Sequence, residues 1–336
     1  MPHAASPFGR PLKREGAGRI PVVVVTGFLG AGKTTLIRAL LDRPEGAQTA
    51  VVVNEFGEIG IDQALLRAST DAVALLGNGC VCCRMRSDLQ ETLRGLLIER
   101  GRGSVPPFVR VVIETTGLAD PGPILQSFVT DRALGDAFHL NALVCVADAA
   151  TITGNLDRMP EAAKQVALAD RIVVSKADLV GEAGTAAALA LLRAANPAAA
   201  VALAGHGAVE PGFLLDPGMA SRRNPALHAG MAGHLADIQS YAVVFERPLD
   251  WGAFAAAMDA LGSLRGPDLL RVKGLVAIRG AEGPVVVHMV QHLAHRPTQL
   301  ATWPDEDRRS RLVFIARGIP KATVTALLEA MQAAAG

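Results

Sequence analysis

Aromatic side chains are scarce. Phe, Trp and Tyr make up 4% of the 336 residues, with a single tyrosine among them, too few for the base-stacking surfaces of single-strand nucleic-acid binders. Net charge is almost absent as well. The chain sets 33 Lys and Arg against 32 Asp and Glu, a formal +1, so no basic field is available to gather a polyanion. Long apolar runs are missing too. The stretch Ala194–Val209 carries no charge but is broken by Asn196-Pro197 and Gly205-His206-Gly207, and no segment qualifies as a membrane span. Four cysteines, three of them packed together, make no disulfide framework and point to metal or redox chemistry in a reducing compartment. Residues 1–19 are rich in Pro, Gly and basic residues without an apolar core. They read as a disordered leader rather than a secretion signal. These absences predict a cytoplasmic protein with neither nucleic acid nor membrane among its partners.

What is present centres on Gly27-Phe28-Leu29-Gly30-Ala31-Gly32-Lys33-Thr34. A β-branched run, Ile20–Thr26, precedes it and a helical pattern, Thr35–Leu41, follows. Strand, glycine loop and helix form the context of a phosphate-binding loop. Backbone N–H groups of Gly30, Ala31, Gly32, Lys33, Thr34 and Thr35 then face a polyphosphate at the positive end of the helix. Lys33 reaches the β- and γ-phosphates, and the Thr34 hydroxyl is offered to Mg²⁺.

Further motifs follow strand-like runs. Ala50–Val53 enters an acidic loop containing Glu58, a candidate nucleotide-sensing switch. Val73–Leu76 reads as a short strand ending at Gly77-Asn78-Gly79, after which come Cys80, Cys82 and Cys83. Three thiols within four residues can converge on Zn²⁺, Co²⁺ or Cu⁺, leaving a place for a fourth ligand such as Glu58 or water. A redox thiol pair and buried apolar cysteines are the competing readings of the same residues. Cys145, inside an apolar strand, reads as core. Glu114-Thr115-Thr116-Gly117 ends another buried run, where Glu114 assists Mg²⁺ and Gly117 lends an N–H to the γ-phosphate. Ser175-Lys176-Ala177-Asp178 looks like the guanine-reading N-K-x-D with Ser for Asn. A carboxylate at Asp178 accepts from both N1–H and the 2-amino group of guanine, and the Lys176 stem covers the base. Strands alternating with helices predict an α/β fold, a P-loop NTPase domain with a mostly parallel sheet over 20–212. A linker is predicted over 213–240, and a smaller α+β domain with a mainly antiparallel sheet over 241–336. His288, His292 and His295 are read on a strand, 288 and 292 sharing a face. His206, His228 and His234 fall in loops or the linker.

Together these residues resemble the CobW-type GTPases. The matching text is GFLGAGKTT (27–35), VNEFGEIGID (53–62), GNGCVCC (77–83), ETTGLADPGP (114–123), ADRIVVSKADL (169–179), LLRVKG (269–274) and RSRLVFIARG (309–318). The resemblance implies a low-activity, metal-stimulated GTPase that binds GTP and GDP and delivers zinc, or cobalt, to a client metalloprotein. It implies also that Cys80, Cys82 and Cys83 bind the metal, with Glu58 joining them. Val53 stands where some relatives carry a Glu, and the histidine-rich stretch of several relatives is missing. The residues leave open a nucleotide-regulated metal sensor without delivery, or an ATPase. Oligomeric state is not legible. No arginine is evidently placed to reach the γ-phosphate, so slow intrinsic turnover is expected.

Overall fold

The computed structural model describes residues 13–14, 18–53, 73–76, 80–84, 89–216, 233–235, 238–291, 293–294 and 297–335. Two units form, one from Gly18–Leu191 with Ala199–Ala220 and the other from the rest of the chain. Strands are numbered in chain order from β1 (Lys13–Arg14).

In the first unit, the valine run becomes β2 (Ile20–Thr26), with Val22–Val25 at most 2% exposed. A strand covered on both faces reads as continuous apolar sequence, not as alternation. With it run β3 (Thr49–Val53), β4 (Val73–Leu76), β5 (Cys80–Arg84), β6 (Arg110–Glu114), β7 (Phe138–Asp148), β8 (Arg171–Ser175) and β9 (Ala200–Leu203). Their spatial order is β4-β5-β3-β6-β2-β7-β8-β9. Every pairing is parallel except β4 on β5. The helices are α1 (Lys33–Leu41), α2 (Leu89–Arg102), α3 (Gly122–Thr130), α4 (Arg132–Ala137), α5 (Ile152–Arg158), α6 (Pro160–Leu168), α7 (Gly181–Ala195) and α8 (Pro211–Leu215). Leu36, Ile37 and Leu40 form the buried stripe of α1 and pack on Val23, Val25, Val112 and Val144. Because β2 has β6 on one side and β7 on the other, the loop leaving β2 lies where the winding of the sheet reverses. Open α/β sheets bind ligands at such a point.

At the opposite end of β8, Arg171 is fully buried and donates to the carbonyls of Phe213 (2.8 Å) and Asp216. Burial lowers its pKa from the ordinary value, and Asp170 and Asp216 oppose that shift. The guanidinium fork thereby ties the end of α8 to the sheet.

The second unit contains β10 (Gly233–Leu235), β11 (Ile238–Phe245), α9 (Trp251–Arg265), β12 (Arg271–Val276), β13 (Val285–Val290), β14 (Leu293–Ala294), β15 (Thr298–Gln299), β16 (Ser310–Arg317) and α10 (Lys321–Ala335). The sheet order is β1-β15-β13-β12-β16-β11-β10, with β14 beside β13. All pairings are antiparallel except that of β1 with β15. Phe254, Met258 and Leu261 of α9 and Val324 and Leu328 of α10 close the core over Val272, Leu312 and Phe314. Tyr241 stacks on Phe314 with centroids 5.8 Å apart and donates to the Ile319 carbonyl at 2.9 Å.

Local readings change. His234, read in a loop or the linker, lies in β10, and β11 opens at Ile238 inside the span read as linker. Within the segment read as a leader, Lys13 and Arg14 pair with Thr298 and Gln299. The strand that carries His288, β13, stops at Val290, and Gln291 takes a left-handed φ of 55°. The chain then reverses to pair Leu293 with Val290. His292 and His295 lie outside the described residues.

Candidate functional site

Gly27 leaves β2 with φ 141°, and a Cβ there would stand 2.3 Å from the Val146 carbonyl oxygen. The loop therefore touches β7 backbone to backbone, an approach open to glycine alone. Gly27→Ala is expected to destabilise the protein by about 2–5 kcal/mol, summing left-handed strain and overpacking. A lowered urea midpoint would register this, and an unchanged midpoint would deny the contact. Gly32, with φ 96°, turns the chain into α1.

Lys33 is buried, and its Nζ donates to the carbonyls of Gly27 (3.0 Å) and Phe28 (3.3 Å). Its ammonium thus lies along the inner rim of the loop. Thr34 donates its hydroxyl to Glu114 Oε1 at 2.6 Å across 80 residues of sequence. Glu114 ends β6 in register with Val25 and is buried. Hydroxyl and carboxylate oxygens are the hard donors that Mg²⁺ takes, so the pair fits that ion. The turn beyond Glu114 is tied to the loop as well. The Thr115 hydroxyl bonds to Thr26 Oγ1 at 3.0 Å, and a Cβ on Gly117 would lie 2.6 Å from the Leu29 nitrogen.

On the other side of α1, Ser175 donates to the Ala31 carbonyl at 2.7 Å. Its hydroxyl joins the loop ending β8 to the glycine loop. Lys176 adopts a left-handed φ of 56° and pairs with Asp148 Oδ2 at 2.8 Å, while Asp148 Oδ1 accepts from the Ala150 N–H at 2.9 Å. Asp178 stands exposed in the short helical turn Ala177–Leu179. Sequence reading missed Asp148. It missed also the turn Gly205–Ala208, where a Cβ on Gly207 would meet Thr35 Cγ2 at 2.7 Å. Their position, Asp148 at the end of β7 and the turn just beyond β9, was the available signal.

The cysteine motif, read as the segment following a strand and its turn, is itself a strand. Backbone pairing sets Cys80 opposite Leu76, Cys82 opposite Ala74 and Val51, and Cys83 opposite Val52. Val52 is in turn opposite Ile113, next to Glu114. The side chains of Cys80, Cys82 and Cys83 lie outside the described residues, as does all of Glu58. Among the described residues, no three His, Cys, Asp or Glu side chains gather as a metal site. Cys145 is core: burial pushes its thiol up to about 12, despite the nearby Lys33 ammonium, so it stays protonated.

A glycine loop between a central parallel strand and a helix, with a Thr–carboxylate pair at its mouth, defines a P-loop nucleotide-binding protein. Residues 21–202 match the CobW/HypB/UreG nucleotide-binding domain, and 238–332 match the cobalamin synthesis protein cobW C-terminal domain. The chain belongs to this family. It is 34% identical to the zinc chaperone YjiA of Escherichia coli over 315 residues, covering 91% of this chain and 97% of that one. It is 31% identical to the zinc chaperone CobW of Pseudomonas aeruginosa, covering 96% and 94% respectively. The crystal structure of Zn(II)-bound YjiA GTPase from E. coli superposes with a TM-score of 0.72 at 31% identity, covering 93% of this chain and 99% of that one. Among the described residues, no helix is long and apolar enough to cross a membrane.

Proposed function

We propose that this chain is a GTPase that binds a transition metal, zinc above cobalt, and delivers it to a client metalloprotein in the cytoplasm. The observation that carries the reading is the Thr34–Glu114 contact at the mouth of the glycine loop. It brings two distant motifs together as an oxygen pair at the mouth of the loop. The names of the relatives support zinc as cargo, and the cysteines of β5 are the residues suited to hold it.

In this mechanism the loop amides and Lys33 hold the β- and γ-phosphates. Thr34 and Glu114 would hold Mg²⁺, which neutralises charge on the phosphate oxygens when bound. The Gly117 N–H faces the γ-phosphate from the opposite side. Water attacks phosphorus, the new O–P bond forms as the bond to the β–γ bridging oxygen breaks, and GDP keeps that oxygen. At the other end, Asp178 accepts from N1–H and the 2-amino group of guanine. Ser175 holds the reading loop against Ala31, and Lys176, anchored on Asp148, lays its stem over the base.

Asp178→Asn tests the base assignment. Xanthine carries a carbonyl where guanine has its amino group, and an amide can donate to it while a carboxylate cannot. GTP affinity should fall at least about tenfold and XTP affinity should rise. Wild-type protein that bound ATP as tightly as GTP would refute the assignment.

A further inference from the structure

Helix α6 carries a glutamine that none of the nucleotide motifs includes. Gln165 is 0% exposed, and its Nε2 donates to the carbonyls of Gly117 (3.0 Å) and Ala119 (3.0 Å). Both belong to the turn after Glu114. The preceding residue, Lys164, pairs with Asp120 of the same turn. One face of α6 thus holds the turn at three successive points.

These contacts orient peptide planes. In a trans peptide the C=O and the following N–H point in opposite directions, and the described chain has no cis bonds. Drawing the carbonyls of Gly117 and Ala119 toward α6 directs the N–H groups of Leu118 and Asp120 away from it. The Thr116 carbonyl accepts from the Ala119 N–H (3.2 Å) and the Thr115 hydroxyl (3.2 Å), which turns the Gly117 N–H the other way. Gly117 meanwhile presses on Leu29 of the glycine loop. The direction of each of these donors traces back to a carbonyl anchor, and two of the three anchored carbonyls belong to Gln165.

The anchor is incompletely satisfied. Gln165 Oε1 is buried and accepts no hydrogen bond from the described residues. The side chain lines a small cavity beneath the glycine loop with Phe28, Leu29, Ala31, Asp148 and Asn155. A buried acceptor without a donor is costly and offsets part of what the two bonds contribute.

We propose that Gln165 is the positioning residue of this turn, pinning the Gly117 and Ala119 carbonyls so that Gly117 is held with its N–H toward the γ-phosphate, and thereby setting the preference for GTP over GDP. The proposal rests on the GTPase reading. Its test uses the full-length protein and Gln165→Met, which keeps the length of the side chain and removes its donors. GDP lacks the phosphate that the proposal sets against the turn, so its affinity should stay within about threefold of wild type, whereas the loss of two hydrogen bonds should weaken a non-hydrolysable GTP analogue and lower kcat about tenfold or more. Equal losses for GDP and the analogue would mark a merely structural glutamine and overturn the proposal, as would no loss at all. Lys164→Ala removes only a partly exposed ion pair and keeps the test alive if the first variant does not fold. It should show the same split, about two- to fivefold, and an unchanged ratio there would again overturn it. Wild-type protein that failed to bind GDP would instead refute the GTPase reading.

Discussion

Lys33→Ala is expected to lower GTP affinity by roughly a hundred- to a few thousand-fold. Lys33 is 8% exposed and its Nζ borders the two carbonyls that open the glycine loop. A polyphosphate entering that loop gains its cation in a largely dry place. Removing one partner of a buried charge pair costs about 3–5 kcal/mol, and each 1.4 kcal/mol is tenfold. The fold should survive, because the glycines and Ser175 on Ala31 still shape the loop when the two lysine bonds to Gly27 and Phe28 are lost. Calorimetric titration of GTP with a parallel thermal melt separates the two effects. Near-normal GTP affinity in a protein melting like wild type would mean that the loop holds no triphosphate.

Replacing Cys80, Cys82 and Cys83 together with serine is expected to abolish the tightest zinc site and to leave GDP affinity within a few-fold. Thiolates are the soft ligands of the set, and serine hydroxyls do not replace them at neutral pH. With Co²⁺ as probe, thiolate-to-metal charge transfer should appear in the wild type and vanish in the variant. The same titration in GDP and in a non-hydrolysable GTP analogue measures coupling. If Glu58 answers to the γ-phosphate and also touches the metal, the two nucleotide states should differ in metal affinity by about 5–150-fold, and linkage demands the reciprocal effect on nucleotide. Equal metal affinities in the two states would leave a GTPase that merely carries a metal.

Sequence reading reached the central strands and the nucleotide motifs for one reason. Both are encoded in contiguous residues: β2 is an unbroken valine run, and the glycines of the loop are spaced for a single turn. It recovered less where a feature depends on distant packing. β7 begins at Phe138, although His139 and Asn141 make its first half look polar. Asn141 earns its place by donating to the Leu215 carbonyl at 2.9 Å, a contact made 74 residues further along the chain. The cysteine run carries no strand signal of its own and becomes one by pairing on both sides. Gln165 is invisible as text because both of its acceptors lie more than forty residues earlier.

The ladder that joins the cysteine strand to the acid strand is also a ruler. Cys83, Val52 and Ile113 stand in one cross-strand row, and two inter-strand spacings set β5 about 10 Å from β6. Hydrogen-bonded strands keep this spacing as long as their ladder stays paired. Mn²⁺ beside Glu114 and Co²⁺ on the cysteines would form a pair of electron spins mounted on one rigid bar, close enough for strong dipolar coupling. Any change in that coupling between GDP and a GTP analogue would then report a ligand moving against the bar, and not the bar itself.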